Sequence, residues 1–165
     1  MVSTEERRKI GKQNRASGQR FENLVRKDLE SKGWVCDKWS NNVEFEEKII
    51  GQLLSMPPQD IKEKVGKLVP AKHKFCGVGR PMAIGTGFPD FVAYCKGCYN
   101  KKTFYVFKNI SNKYAIMGVE VKSNGYLDKE EKEKCEWLLE NNIFSKILIA
   151  KKGTKRGEII YEEFK

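Results

Sequence analysis

The sequence predicts an α/β protein, with a central mixed sheet of about five strands flanked by helices and one inserted segment. Three observations carry that expectation. Phe21, Leu24, Val25 and Leu29 recur at helical spacing. Asp90–Tyr94, Ala115–Lys122 and Phe144–Ala150 are short, mostly apolar runs of strand length. Between the last two, Asp128-Lys129-Glu130-Glu131 has the pattern of a capping box, which opens a helix.

The elements follow in order. Residues 1–16 are basic and polar without periodicity, and are expected to form a flexible arm. Ser17 is a helix cap, and Lys32-Gly33 ends that helix. Trp34–Trp39 alternates like a strand. Residues 41–80 read as an insertion: Glu44–Leu54 as a helix, Met56-Pro57-Pro58 as a break, and Gln59–Leu68 as a short second helix with Ile61, Val65 and Leu68 on one face. Gly85–Pro89 is a tight loop before the Asp90 strand. Thr103–Phe107 and Ala115–Lys122 follow as strands, with a turn at Asn109–Lys113. The capped helix places Cys135, Leu138 and Leu139 inward and ends near Asn141-Asn142; Phe144–Ala150 and Glu158–Phe164 close the chain as strands.

The 165 residues suit about one domain, so 1–165 is expected to fold as a unit. At this size about 68–70% of the unfolded surface is buried. The aromatic and branched content excludes a disordered or fibrous chain. No window approaches the ~18 apolar residues of a membrane span, and Met1–Lys9 has no apolar core of a secretory signal. Five cysteines, an odd number, fit mostly free thiols in a reducing, cytoplasmic setting. A net charge of +10 points to a polyanionic partner, most often nucleic acid.

The chemistry concentrates at two strand ends. Glu120 and Lys122 are two apart on one strand and share a face, with Val121 turned away. If the Asp90 strand pairs with theirs, two carboxylates and an amine converge. Two carboxylates and the Val121 carbonyl suit Mg²⁺, with Mn²⁺ as a substitute. Such an ion activates water and stabilises charge on a phosphate, and a neighbouring ammonium assists. Pro89 restricts Phe88, and Gly85 and Gly87 permit close backbone approach, as to a phosphodiester. Glu22, at the edge of the first helix's apolar stripe, can lean into the same place. Taken singly, each motif has a plain reading: a solvent-facing Glu/Lys pair and a turn aspartate.

Gly87-Phe88-Pro89-Asp90 followed by Glu120-Val121-Lys122 resembles the signature of the PD-(D/E)XK nuclease superfamily. Gly18–Val25 resembles that family's first, Glu-bearing helix, and Leu127–Leu138 the helix after its E-x-K strand. Within the superfamily the resemblance is nearest to archaeal Holliday-junction resolvases and virus-type replication-repair nucleases, over residues 17–40 and 85–150. It implies a restriction-endonuclease-like core and divalent-metal-dependent endonucleolytic hydrolysis of DNA, in recombination or repair. It also implies roles: Asp90 and Glu120 hold the metal, Lys122 places the water, Glu22 supports the metal site, and Ser40 stands for a functional serine. Two features depart from the pattern: the long stretch between Glu22 and Asp90, and Glu131 where many relatives carry Gln.

A second reading is a non-catalytic DNA-binding module. His73-x2-Cys76 and Cys95-x2-Cys98 have the spacing of a structural Zn²⁺ site, against the alternative of plain thiols and a surface histidine. Flap, nicking or restriction-like cleavage is the alternative within the nuclease class, and an RNA-directed role ranks third. Basic stretches at Arg7–Lys12, Lys62–Lys74 and Lys151–Arg156 suit phosphate contacts. Trp39, Phe88 and Tyr126 are candidates for base stacking, although core packing is the better expectation for each. A homodimer would fit resolution of a two-fold junction.

Overall fold

A computed structural model describes residues 3–53, 59–72, 87–96 and 114–165. The elements run α1 (Thr4–Ser31), β1 (Val35–Lys38), β2 (Asn41–Leu53), β3 (Gln59–Pro70), β4 (Phe91–Lys96), β5 (Tyr114–Val121), α2 (Lys129–Glu140), β6 (Lys146–Lys152) and β7 (Ile159–Glu163). Five strands form one mixed sheet in the order β1-β4-β5-β6-β7, and β2 and β3 form a separate hairpin. Among the described strands only the β5–β6 pairing is parallel, and it is the pairing bridged by a helical crossover through α2. The α/β class and the five-stranded mixed sheet with flanking helices are as expected.

The two faces of the sheet are covered differently. Phe21, Val25 and Leu29 of α1 pack with Cys36, Phe91, Ala93, Met117 and Val119 on one face. Cys135 and Leu138 of α2 pack with Ile147 and Ile149 on the other, joined by Val43 from the hairpin and by Phe88. Strand alternation divides β5 between these layers, so that Val119 and Val121 face α1 while Glu120 points toward the α2 side.

Two expectations are corrected. Residues 4–16 are not an irregular arm, because α1 starts at Thr4 and not at Ser17. Ser3 caps it, its hydroxyl accepting from the Glu6 N–H while the Glu6 carboxylate accepts from the Ser3 N–H, and Glu5–Lys9, Lys12, Gln13, Arg15 and Ala16 are good helix formers. No apolar stripe marks this half, and among the described residues none buries residues 3–10. The expected helices at Glu44–Leu54 and Gln59–Leu68 are the two strands of the hairpin, paired from Asn41↔Pro70 to Leu53↔Gln59 with an irregularity at Ile49/Gly51. Ile61, Val65 and Leu68 do fit helical spacing. Burying Val43, Phe45 and Leu68 against α2 decides for the strand. At Gly66 a Cβ would overlap the Trp137 ring, so the hairpin backbone lies directly on α2. The expected break at Met56-Pro57-Pro58, the strand at Thr103–Phe107 and the turn at Asn109–Lys113 lie outside the described residues.

The expected termini hold elsewhere. Gly33 takes φ 87° after α1, where a left-handed conformation favours glycine. Asp128 caps α2 through the predicted box, and Asn141 closes it. Among the described residues, no helix is long and apolar enough to cross a membrane.

Candidate active site

Asp90 is the residue before β4, and the antiparallel register Phe91↔Val119 sets it opposite Glu120. The two are interlocked through backbone. The Asp90 N–H donates to Glu120 Oε2 at 3.1 Å, and the Val121 N–H donates to Asp90 Oδ2 at 3.0 Å. On its other side, Asp90's carbonyl accepts from the Trp39 N–H at 3.2 Å. The Phe88–Pro89 peptide before it is cis. A Cβ on Gly87 would overlap the Trp39 and Asn41 backbone, so the close approach this glycine permits is to its own chain and not to a phosphodiester. Gly85 lies outside the described residues.

Glu120 is only 5% exposed. Burial pushes its pKa up to about 8, and the Asp90 carboxylate beside it pushes the same way. Asp90 is also raised, first by burial; the Val121 N–H opposes this and the charge of Glu22 adds to it. Lys122 Nζ stands 3.4 Å from Glu120 Oε1 and is bonded to Glu131. Burial works against the Lys122 charge, but Glu131 and Glu120 outweigh it and its pKa is raised. Glu131 thus links two elements: its other oxygen accepts from the Asp128 N–H at 3.0 Å at the start of α2.

Glu22, on α1, reaches the same end of the sheet and is ion-paired with Lys38 at the end of β1. Lys38 also lies 4.5 Å over the Phe91 ring, directly after Asp90 in sequence. The structure therefore brings together Glu22, Asp90, Glu120 and Lys122, and adds Lys38 and the role of Glu131. Sequence reasoning missed Lys38, because a lone lysine on a strand carries no signal until the pairing Lys38↔Phe91 is known.

The donor set fits a divalent cation in one respect. Burial raises both carboxyls first, and the Asp90 charge adds to the rise at Glu120; a dication bound between them relieves that cost. Among the described residues no group of three His, Cys, Asp or Glu side chains stands together as a preformed ligand set. Mg²⁺ keeps several waters and needs only one or two carboxylates, so a two-carboxylate corner suits it.

Other candidates sit elsewhere. Ser40 is exposed at the base of the hairpin, where its carbonyl accepts from the Ala71 N–H at 2.8 Å. Phe88 is buried under Lys134, and Trp39 packs edge-on against Phe144 with ring centroids 5.1 Å apart. Phe88 belongs to the core, and Trp39 is half-buried against it. Tyr126 is 79% exposed, as its position after Asn124-Gly125 suggested. Of the proposed zinc ligands, His73, Cys76 and Cys98 lie outside the described residues, as does the side chain of Cys95. The described thiols, Cys36 and Cys135, are buried, with pKa values pushed up by burial to about 11 and about 12.

Compared with known proteins, the chain matches no family model, no curated protein and no solved structure.

Proposed function

We propose that this protein is a divalent-metal-dependent endonuclease of the PD-(D/E)XK type, with a restriction-endonuclease-like core. Its substrate would be branched or structured DNA, cut in the manner of a Holliday-junction resolvase. The observation that supports this best is the interlocked Asp90–Glu120 pair with Lys122 on the same side and Glu22 across from it. Asp90, Glu120 and the Val121 carbonyl would hold Mg²⁺, or Mn²⁺ in its place. The ion would supply an acidified water and neutralise charge on the phosphate.

The protein's own groups have separable tasks in this reading. Lys122, charged and tied to Glu131, orients the attacking water or donates a hydrogen bond to the phosphate oxygen as charge builds there. Glu131 keeps that amine aimed. Glu22 adds negative charge on the far side of Asp90 and holds Lys38 in place. The burial of Glu120 excludes water from one flank of the pair, which strengthens each of these interactions.

The test is a substrate panel of four-way junction, linear duplex, flap and single-stranded DNA with Mg²⁺ or Mn²⁺, comparing wild type with Asp90→Ala. Paired symmetric nicks in the junction alone, lost in Asp90→Ala, are the expected result and require two active sites, hence a homodimer. Cleavage of flaps or linear duplex would keep the nuclease and move its task to repair or restriction. If nothing is cut in an Asp90-dependent way, the proposal fails and a binding module remains.

A further inference from the structure

The N-terminal half of α1 packs little against the other described residues. Residues 3–10 are all exposed, and Ile10 is the single apolar side chain among them. A helix that is polar all round has its reason outside the core it belongs to. Arg7, Lys9 and Arg20 point elsewhere around the helix, but five other polar residues share one line. Arg8, Lys12, Arg15 and Gln19 follow at steps of four, three and four, and three residues on comes Glu22. Residues so spaced lie in one row along a helix. The row of cations therefore runs straight to the candidate active site.

The pairing of charges differs on the two sides of Glu22. Beyond it, Arg26 in the same row is tied to Glu30 at 3.0 Å and to Asp37 at 3.5 Å. Before it, no carboxylate among the described residues pairs with Arg8, Lys12 or Arg15, and Arg15 Nε donates only to the Gly11 carbonyl at 3.3 Å. Glu5 and Glu6 belong to the helix's first turn, where they serve its cap and dipole.

We infer that the Arg8–Lys12–Arg15 row binds the phosphates of a DNA duplex leading into the Asp90–Glu120 corner. This rests on the nuclease reading for what lies at the end of the row. At about 1.5 Å per residue, Arg15 lies about 10 Å and Arg8 about 21 Å from Glu22 along the helix axis. A duplex advances ~3.4 Å per base pair, so the row spans phosphates from about three to about six base pairs beyond the reacting one. The row reads no bases. It positions the duplex and makes binding steeply dependent on salt.

The experiment measures binding by fluorescence anisotropy in Mg²⁺, with Asp90→Asn as a common background so that the DNA stays intact. Duplexes extend two, four, six or eight base pairs beyond the mapped cleavage position. The arm variant is Arg8→Gln/Lys12→Gln/Arg15→Gln. A control of equal charge loss is Lys48→Gln/Lys62→Gln/Lys67→Gln on the hairpin. Circular dichroism and melting confirm that both stay folded, since neither touches the core. The arm variant is expected to weaken binding by about tenfold or more and to reduce the salt slope by about 0.9 per lost contact. Its loss is confined to duplexes longer than about three base pairs past the cut, and the hairpin control binds like the parent.

Unchanged affinity and slope in the arm variant, with wild type cutting DNA, would overturn the inference and leave the nuclease standing. An equal loss in the hairpin control would overturn it too, because net charge would then explain binding. Arm-dependent DNA binding with no cleavage by wild type would remove the nuclease reading and keep the row as a duplex-binding surface. Arm-dependent binding to anionic phosphatidylserine vesicles, with none to DNA, would overturn the inference in favour of a membrane surface.

Discussion

Just past the end of β5, Lys122 Nζ stands 3.4 Å from Glu120; on the hairpin, Lys62 Nζ stands 3.4 Å from Glu47. The residue types and the separation are the same. The side chains of the first pair are 27% and 7% exposed, those of the second 57% and 69%. Water screens the hairpin pair, so its charges cost little and hold little. Glu120 lies in a sheet covered on both faces, next to a second carboxylate, and there its ionisation is pushed out of the ordinary carboxylate range. The hairpin carries Lys48, Lys62, Lys64 and Lys67 among Glu44, Glu46, Glu47, Asp60 and Glu63, so it does not account for the chain's positive charge. Chemistry follows from burial and neighbours, and not from the alternation of Glu and Lys along a strand.

The sharpest way to break this comparison is activity. On the proposed nuclease reading, Asp90→Ala or Glu120→Gln should lower the cleavage rate by at least about 10³-fold, while Glu47→Gln should leave it within about twofold. Single-turnover cleavage of the preferred substrate measures both. A hairpin variant as damaging as Glu120→Gln would sink the contrast.

The pH dependence of stability comes next. A carboxyl group whose folded pKa is raised supports folding fully below its unfolded value, and that support is lost as pH climbs through the folded value. For Glu120 the window runs from its ordinary 4.5 to about 8, and Asp90 adds in the same direction. The melting temperature of the metal-free protein should therefore fall by on the order of 5 °C across that window. Glu120→Gln should flatten the profile. Mg²⁺ should raise the melting temperature most at the alkaline end, where both carboxylates are charged. A profile that Glu120→Gln leaves unchanged would show that another group governs it.

Gly66→Ala sharpens the comparison from the other side, because it tests where the hairpin stops being a solvated appendage. A methyl group there meets the Trp137 ring, so a cost of roughly 1–3 kcal/mol is expected in denaturant unfolding. A neutral result would mean that the hairpin is not seated on α2. The smallest effect is expected for Lys62→Gln, within about 0.5 kcal/mol.

The centre of the sheet was legible because β6 and the second half of β5 are buried on both faces and so read as apolar runs. Val119, Ile147 and Ala150 announce themselves without any partner being known. The cap of α2 was legible because its hydrogen bonds are local, within Asp128–Glu131. The hairpin was not, because Ile61, Val65 and Leu68 satisfy a helical period while Val43 and Phe45 satisfy a strand period, and only α2 chooses which is buried. The first half of α1 was missed for the opposite reason. It is held by a cap and by propensity, and hydrophobic periodicity detects neither.

By itself, then, the sequence determined what is local or strongly apolar: the mixed α/β class, the strands that build the sheet, the capping of α2, and the sharing of one strand face by Glu120 and Lys122. Only the tertiary structure decided that Asp90 faces Glu120 through two backbone hydrogen bonds, that Glu22 meets Lys38, and that Glu131 holds Lys122. Those contacts join residues far apart in the chain. Their existence depends on strand register and on which face each helix covers, and neither is written in the spacing of any single segment.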